Sequence, residues 1–526
     1  MFGKQRSESR FISHFTRRSY LAATTASGIL FDHRPRRSFF RRLGLAHWVA
    51  FFAVFLINGP KMTSASAKFD SVGVLFADWI SIEAGVSFTK LLANISPADA
   101  ARGIMVASPS RQEPNYYFHW VRDAALSMDV IVRGGILVLP AAQRTQMMDD
   151  YINLNLSMQK SSAPTGLGEP KFNIDGTPWT LPWGRPQNDG AALRALSLSR
   201  YAEELLSNGQ GAYVSAKLYD SAMPSSTVIK RDLEYVSHHW SEPSFDLWEE
   251  AKGDHFYTRI VQLAALRKGA EIAAAMNDPG AASFYSTQAS AIEASLDGFW
   301  DNAGFFRSTI NYVTDNRGKN SGLDSAVVLG VLHADLSMGG NLHGVHFAPS
   351  DSRVMATVER LEEAFHPIYA INDSSRFPDI GTAIGRYPED VYSGRSDVSY
   401  ASPWILTTAA MAEYCYKLAY ELDSSTVPFS INDINLRFIN RVSGGHLGSV
   451  VPTAGLNLNV GSPEFNELVS DLVGLGDLYM KRIRLHLNGD GSLSEQMDRN
   501  SGFMTSARDL SWSYASFITA YWARGH

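Results

Sequence analysis

The sequence contains one cysteine, Cys415, among 526 residues. A single cysteine excludes an intrachain disulfide, and it leaves neither a thiolate metal cluster nor a cysteine-rich scaffold available. The fourteen histidines show no close metal-ligand spacing apart from His238 and His239, and that pair lies on a predicted helix without a matching carboxylate motif. We therefore expect a protein that uses neither a metal nor another cofactor.

Three motifs that mark large enzyme classes are also missing. The chain has no Gly-x-Ser-x-Gly nucleophile turn, no Walker-type phosphate loop and no Gly-x-Gly-x-x-Gly segment after a predicted strand. Residues 1–42 hold ten Lys or Arg against two acidic residues, whereas the whole chain has a net charge of −6, so the body is acidic. An acidic body argues against nucleic acid as a partner and favours a neutral polar substrate. Hydrolysis by carboxylates is the chemistry that remains.

The N-terminal head contains an apolar run, Leu43–Ile57, that is shorter than the ~20 residues of a typical membrane-spanning helix. It follows the basic cluster Arg36–Arg42 and precedes the small residues Ser64–Ala67, which is the order of a secretory signal. We predict that residues 1–67 are a signal peptide cleaved after Ala67, or else a retained signal anchor, with an organellar or mis-started N-terminus as a further alternative. The protein is then secreted or in the secretory lumen, or alternatively membrane-anchored or vacuolar.

Three Asn-x-Ser sequons occur in the body of the chain, at Asn94, Asn155 and Asn372. Such sites accept a glycan only when they are exposed in a secretory lumen. Given the predicted signal, we expect a glycoprotein, with Asn94 the weakest site because Pro97 follows it.

The body, residues 68–526, reads as repeatedly helical, because apolar residues return at spacings of three and four. Few stretches alternate as strands do, and the loops between helices are rich in glycine and aromatic residues. The predicted helices are Asp123–Arg133, Leu139–Met158, Gly190–Leu206, His255–Met276, Ala281–Phe299, Ser399–Tyr420, Glu464–Ile483 and Ala507–Trp522. We predict one all-helical catalytic unit with binding and catalytic groups on its loops.

The segment Phe245–Glu250 places the carboxylates of Asp246, Glu249 and Glu250 beside Trp248. Neighbouring carboxylates repel each other and lose hydration in an apolar site, so at least one of them gains proton affinity. A carboxylic acid that stays protonated near neutral pH can act as a general acid. The alternative is a charged helix start, with acidic side chains near the positive end of the helix dipole.

Four other loops each contain carboxylates, and three of them also combine aromatic residues with arginine. They are Asn115–Asp123, Gly166–Asp189, Gly385–Asp390 and Asn488–Asp498. Aromatic rings stack on the apolar faces of sugars, while arginine and carboxylate groups bind adjacent hydroxyls in fixed geometry. Any one of these loops could be an ordinary capped loop, but all four together favour a carbohydrate site.

These motifs, taken in order along the chain, resemble the glucoamylase family, which is family 15 of the glycoside hydrolases. The matching segments are Ala107–Ser110, Tyr116–Leu126, Gly166–Asn173, Trp183–Gln187 with Asp189–Gly190, Asp246–Glu250, Gly385–Asp390, Pro403–Trp404, Ser494–Gln496 and Ser506–Tyr514. The resemblance implies an all-α (α/α)6 barrel of six inner and six outer helices with a pocket at one end. It also implies an exo-acting enzyme that removes glucose from the non-reducing ends of α-1,4-glucans such as starch, dextrins and glycogen, with inversion at the anomeric carbon.

The resemblance assigns roles to individual residues. It implies that Glu249 is the general acid and that Glu495 is the general base that activates water. The residues that it implies for substrate binding are Tyr116, Trp120, Arg122, Asp123, Trp183, Leu247, Trp248, Glu250, Arg386 and Trp512. An inverting hydrolase needs its two carboxyl groups ~6.5–9.5 Å apart so that a water molecule fits beside the sugar ring.

The sequence departs from the family pattern at three places. Asn188 stands where arginine is common, Met497 replaces an aromatic residue, and the loop Ser393–Ser402 differs from the usual glycine-asparagine form. These departures affect the expected subsite preference more than the expected activity.

Two alternative functions remain open. One is a family relative that acts on trehalose or an α-1,6-glucan, and the other is a non-catalytic carbohydrate-sensing domain. We expect a monomer without a separate starch-binding domain.

Overall fold

The structure is a computed structural model that describes residues 75–336 and 346–525. The basic head with its predicted signal peptide or anchor, residues 1–67, lies outside the described residues. Within the two described ranges, no helix is both long enough and apolar enough to cross a membrane.

Helices dominate the described residues. In chain order they are α1 (Phe76–Ala93), α2 (Val121–Val138), α3 (Ala141–Gln159), α4 (Asp189–Ser207), α5 (Val228–His239), α6 (Phe256–Ala275), α7 (Pro279–Leu296), α8 (Ala326–Ala334), α9 (Ser352–Phe365), α10 (Ile405–Asp423), α11 (Leu436–Val442), α12 (Pro463–His486) and α13 (Ser511–Arg524). Gly211–Tyr213 adds a single turn that continues into the π-helical segment Val214–Leu218.

Helices α2, α4, α6, α8, α10 and α13 form a closed ring, in which each helix packs against the next and α13 packs against α2. These inner helices are buried on nearly all sides, so that even the polar residues Thr407, Thr408 and Glu413 of α10 are buried. Close packing in the ring depends on small residues. A Cβ atom at Gly330 of α8 would lie 2.9 Å from the side chain of Ile260 on α6.

An outer layer covers this ring. Helix α1 packs on α13, α3 on α2, α5 on α4, α7 on α6, α9 on α8 and α12 on α10. Inner and outer helices alternate along the chain, which confirms the predicted (α/α)6 barrel. Residues at the starts of α2, α10 and α13 line one cavity, so these inner helices begin at the same end of the barrel.

The strands are short, and all of their pairings are antiparallel. They are β1 (His119–Trp120), β2 (Lys171–Phe172), β3 (Ser244–Phe245), β4 (Lys252–His255), β5 (Trp300–Asp301), β6 (Phe305–Phe306), β7 (Thr309–Ile310), β8 (Phe429–Ser430), β9 (Asn457–Leu458), β10 (Gln496–Met497) and β11 (Met504–Thr505). The pairs are β1 with β2, β3 with β4 and β7, β5 with β6, β8 with β9, and β10 with β11. They brace loops and form no separate sheet layer.

Several local predictions are wrong. Helix α10 begins at Ile405 and not at Ser399, because the backbone of a residue before a proline, here Ser402, is biased away from the helical region. The periodicity did not reveal α1, α8, α9 or α11, whereas the helix expected at His238 and His239 is the end of α5. The Asp246–Glu250 segment is not a helix start, since it forms a turn and strand β4 separates it from α6.

The three sequon asparagines are buried. Asn94 and Asn372 are each 3 % exposed, and Asn155 is fully buried. Their side-chain amides donate hydrogen bonds to backbone carbonyls: Asn94 to Asp509 at 2.9 Å, Asn155 to Tyr151 at 2.8 Å and Asn372 to Phe365 at 3.1 Å. A glycan on any of these nitrogens does not fit the folded chain, so the sequons offer no support for the expected glycoprotein.

Candidate active site

The loops that lead into the inner helices enclose a cavity of about 600 Å³, a volume typical of small-molecule sites. It lies where the inner helices begin, so the helix dipoles present partial positive charge towards it. All twelve predicted site residues line this cavity: Tyr116, Trp120, Arg122, Asp123, Trp183, Leu247, Trp248, Glu249, Glu250, Arg386, Glu495 and Trp512.

A tight turn presents Glu249 to the cavity. The Asp246 carbonyl accepts a hydrogen bond from the backbone N–H of Glu249 at 2.9 Å, and the Asp246 carboxylate accepts from the N–H groups of Glu250 and Ala251. Glu249 has a φ of 67°, in the left-handed region that side-chain-bearing residues rarely adopt. Such a conformation costs on the order of 1 kcal/mol, so the surrounding contacts must hold it.

Glu249 has one constrained and one available carboxylate oxygen. Its Oε1 atom accepts hydrogen bonds from Trp120 Nε1 at 2.8 Å and from Gln187 Nε2 at 2.9 Å. Its Oε2 atom has no hydrogen-bond partner in the described part of the chain, and the side chain keeps 20 % of its surface exposed. The Arg122 guanidinium lies 3.9 Å from Oε1. The second oxygen is therefore available to a ligand in the cavity.

Glu495 is held more deeply, with 1 % of its surface exposed. Its backbone N–H donates to Ala507, and its carbonyl accepts from Ile405 at the start of α10. Burial raises the pKa of its carboxyl to about 7. The pKa is this high even though hydrogen bonds from Ser506, Tyr116 and Gln496 and the positive charge of Arg386 favour the carboxylate and lower it.

An aromatic pair contacts both carboxyl groups. The rings of Tyr116 and Trp120 meet edge to face with centroids 5.4 Å apart. Trp120 donates to Glu249, whereas the hydroxyl of Tyr116 interacts with Glu495. Tyr392 lies 2.5 Å from Tyr116, oxygen to oxygen, so a Tyr116 hydroxyl that donates to Glu495 accepts from Tyr392. Each carboxyl group thus has one member of the aromatic pair as a neighbour, and the two share no hydrogen bond in the described residues.

Two arginines are fixed by ion pairs in the cavity lining. Arg122 donates to Asp189 at 2.8 Å and is flanked by Asp123, whose pKa burial raises to about 6. Arg386 makes a bidentate pair with Asp390 at 2.7 and 2.6 Å and also donates to Glu250 at 2.8 Å. Because the guanidinium groups are held in place before a ligand binds, their free N–H groups offer a rigid pattern of donors.

Lys171 extends the aromatic wall. Its ammonium lies 3.6 Å from the Trp183 ring centroid and 4.5 Å from that of Trp120. The rings of Phe118 and Trp179 also lie next to the ammonium. Cation–π attraction of this kind replaces part of the hydration that a buried ammonium loses. Burial still lowers the pKa of Lys171 to about 8.

Among the residues at this site that the sequence-based prediction missed are Lys171, Gln187, Tyr392 and Ser506. Three of them belong to segments that carry the family resemblance, but the pattern did not show that Gln187 would reach Glu249 or that Ser506 would reach Glu495. Gln187 and Glu249 are 62 residues apart in the chain. They lie close together because the helices that follow them, α4 and α6, are neighbours in the ring. The order of residues along the chain does not show which helices are neighbours.

The three departures from the family pattern lie around the site. Asn188 is buried and accepts from the hydroxyl of Tyr235 at 2.8 Å, and Met497 is fully buried on β10. In the loop Ser393–Ser402, a Cβ atom at Gly394 would lie 2.0 Å from the Ser506 hydroxyl and 3.3 Å from Glu495. A side chain at Gly394 would therefore displace the hydroxyl that contacts the Glu495 carboxylate.

No group of three His, Cys, Asp or Glu side chains is placed to hold a metal ion in residues 75–336 and 346–525. His238 is largely exposed, and His239 stacks on the ring of Tyr235 at 4.5 Å between centroids. These contacts give the histidine pair a structural environment on α5.

Comparison with known proteins identifies relatives across most of the chain. The family model for glycosyl hydrolases family 15 matches residues 85–522. A glucoamylase of Blastobotrys adeninivorans is 38 % identical over 458 residues, covering 84 % of this chain and 70 % of the relative. The glucoamylase GLA1 of Saccharomycopsis fibuligera is 35 % identical over 503 residues, covering 88 % and 94 %.

Solved structures give the same assignment. A glucoamylase from Saccharomycopsis fibuligera superposes with a TM-score of 0.76 at 33 % identity, covering 88 % of this chain and 98 % of that one. The glucoamylase of Hormoconis resinae gives a TM-score of 0.75 at 31 % identity, with coverages of 86 % and 74 %. The chain therefore belongs to family 15 of the glycosyl hydrolases.

Proposed function

We propose that this protein is an exo-acting hydrolase that releases glucose from the non-reducing ends of α-1,4-glucans such as starch, dextrins and glycogen, with inversion at the anomeric carbon. The observation that carries the proposal is the placement of Glu249 and Glu495 in one cavity, where Trp120 contacts Glu249 and Tyr116 contacts Glu495. Relatives over most of the chain are named glucoamylases, which supports the same activity.

Glu249 is the proton donor in this proposal. Trp120 and Gln187 fix its Oε1 atom, so the carboxyl cannot rotate freely, while Oε2 faces the ligand space and carries the proton. Protonation of the glycosidic oxygen by a fixed acid contributes roughly 10²–10⁴-fold to such a reaction. The C–O bond then breaks as the leaving sugar takes the proton from Glu249.

Glu495 is the general base that takes a proton from the attacking water. A base must be ionised, and with its pKa raised to about 7 by burial, Glu495 is mostly ionised only above that pH; the donors around it keep its pKa from rising further. Attack from the face opposite to the leaving group inverts the anomeric carbon. Both carboxyl groups line the same cavity, which is the space that the sugar and this water would share.

The remaining lining residues bind the sugar. Trp120, Trp183 and Trp512 offer ring faces to the apolar faces of glucose units. Arg122 with Asp123, and Arg386 with Glu250, offer paired donors and acceptors to adjacent hydroxyls. Since polar groups that are left unpaired in a buried site are costly, the site discriminates against sugars that lack these hydroxyls.

We also propose that residues 1–67 direct the chain to the secretory pathway and that residues 68–526 act as one monomeric catalytic unit. The order of basic cluster, apolar run and small residues supports the first statement, and the single closed ring of inner helices supports the second. N-terminal sequencing of the mature protein tests the cleavage after Ala67, which an intact N-terminus would contradict.

The substrate assignment predicts the order of activity on three disaccharides. We expect glucose release from maltose to be fastest, from isomaltose slower and from trehalose slowest, because the proposal concerns α-1,4 linkages. Coupled glucose detection at matched substrate concentrations measures the rates. Failure on maltose with turnover of trehalose or isomaltose would favour the alternative substrates, and failure on all three would favour a sensing domain.

The two carboxyl roles predict that Glu249→Gln and Glu495→Gln each lower kcat on maltose by roughly 10²–10⁴-fold. Glutamine keeps the side-chain shape, so we expect maltose binding to persist, which titration calorimetry measures. Glu271→Gln on the exposed surface of α6 is the matched control and should keep wild-type kcat. Near-normal turnover by either active-site variant would remove that residue from the mechanism.

The hydrogen bond from Ser506 to Glu495 predicts a shift in pH dependence. In Ser506→Ala the carboxylate loses a donor, so the pKa of Glu495 rises and the base is ionised only at higher pH. We expect the acidic limb of the kcat/KM profile to move up by about one pH unit, the equivalent of one hydrogen bond to a charged group. Ser501→Ala, on the same hairpin but away from Glu495, is the control. An unchanged limb, or one that moves to lower pH, would contradict the assignment of Glu495 as base.

A further inference from the structure

Lys319 is a buried cation surrounded by carboxylates. It lies in the loop between β7 and α8, and its side chain is 2 % exposed. Its ammonium lies 2.6 Å from Asp246, 3.4 Å from Glu250 and 3.4 Å from Asp324, over the ring of Tyr387. A buried ammonium is stable only when such partners replace its hydration. No sequence motif pointed to this residue.

Each of the three carboxylates contacts the turn that carries Glu249. One oxygen of Asp246 accepts from the backbone N–H groups of Glu250 and Ala251, and the other binds Lys319. Asp324 accepts from the indole N–H of Trp248 at 2.9 Å. Lys319 is therefore a shared counter-ion. It pairs with Asp246 and Glu250, at the two ends of the turn, and with Asp324, which binds Trp248 in the middle of the turn.

Glu250, the third carboxylate, is shared with two other donors. Its oxygens accept from Arg386 at 2.8 Å and from the hydroxyl of Tyr387 at 2.9 Å. Lys319 thus links the turn to the wall of the cavity that contains Arg386. A change at Lys319 would act on the orientation of the turn without removing any group that lines the cavity, since Lys319 itself does not line it.

The turn needs this support because Glu249 adopts a left-handed φ. The Asp246 carboxylate accepts more strongly from the backbone N–H groups of the turn when it is ionised. Burial raises the pKa of Asp246, but the charge of Lys319 and the hydrogen bonds to the carboxylate lower it to about 2. Without Lys319, the same carboxylate would be a buried charge that lacks its cation, and the turn could relax towards an unstrained φ.

We propose that Lys319 is a positioning residue that holds the Asp246–Glu250 turn, and through it the carboxyl of Glu249, in the orientation required for proton transfer to the glycosidic oxygen. The inference rests on the proposed role of Glu249 as the acid. Lys319 touches no reacting atom in this account.

The test compares two substrates that differ in their need for an acid. Maltose has a sugar leaving group that must be protonated, whereas α-D-glucosyl fluoride loses fluoride, which departs with much less help from an acid. Glu249→Gln serves as the reference and should lower kcat on maltose by roughly 10²-fold or more while it largely spares the fluoride. Lys319→Met removes the charge and keeps the length of the side chain.

We expect Lys319→Met to follow the reference pattern, with kcat on maltose reduced about tenfold or more and kcat on the fluoride changed by less than about threefold. Lys230→Met is the matched control, because Lys230 is equally buried and pairs with Asp278 at 2.7 Å and Glu234 at 3.3 Å away from the cavity. It should lower the melting temperature and leave the ratio of the two activities unchanged. If Lys319→Met does not fold, Lys319→Gln, which keeps a donor, carries the same comparison.

Two kinds of failure are distinguishable. If Glu249→Gln loses both activities equally or keeps both, the proposed role of Glu249 fails. If Glu249→Gln separates the substrates but the Lys319 variant lowers both equally, or changes neither, the acid is not positioned through Lys319 and the inference is overturned.

Discussion

Taking a carboxylate out of water costs several kcal/mol unless a cation or hydrogen-bond donors replace the lost hydration. The cavity and its walls contain Glu249, Glu495, Glu250 and Asp123, and each of them has dedicated partners in the structure. The partners differ in kind: two neutral donors contact Glu249, hydroxyls and an amide surround Glu495, and Arg386 contacts Glu250. Because their surroundings differ, carboxyl groups of the same chemistry can take different roles. A site that contains one acid and one base requires such a difference.

The barrel provides the conditions for this arrangement. Alternation of inner and outer helices brings the N-termini of α2, α10 and α13 to one end, where their dipoles favour negative charge. The chain enters each inner helix through a loop, so residues from distant parts of the sequence converge there. Buried inner helices keep these loop ends fixed, and short strand pairs such as β10 with β11 hold the backbone of Glu495. Rigid scaffold and polar loops together produce a preorganised site.

The sequence predicted the helical class, the family and twelve of the residues that line the cavity, because these depend on local periodicity and on short motifs. It did not predict the contacts between loops. Lys319 and Asp246 are 73 residues apart, and Ser506 meets Glu495 only because β10 and β11 form a hairpin. Apolar periodicity also missed the short inner helix α8, because nearly all of its residues are buried and no polar face alternates with an apolar one. A sequon carries no information on burial, and Asn155 is a fully buried example.

In the proposed mechanism, Glu249 and Glu495 act from opposite sides of the scissile bond, as acid and base, so that water inverts the anomeric carbon. The most direct measurement is the anomeric form of the first glucose released from a malto-oligosaccharide, followed by polarimetry or proton NMR before mutarotation. The proposed inverting mechanism predicts β-glucose as the initial product. Initial α-glucose would contradict it, because retention requires a covalent intermediate and a nucleophile in place of an activated water.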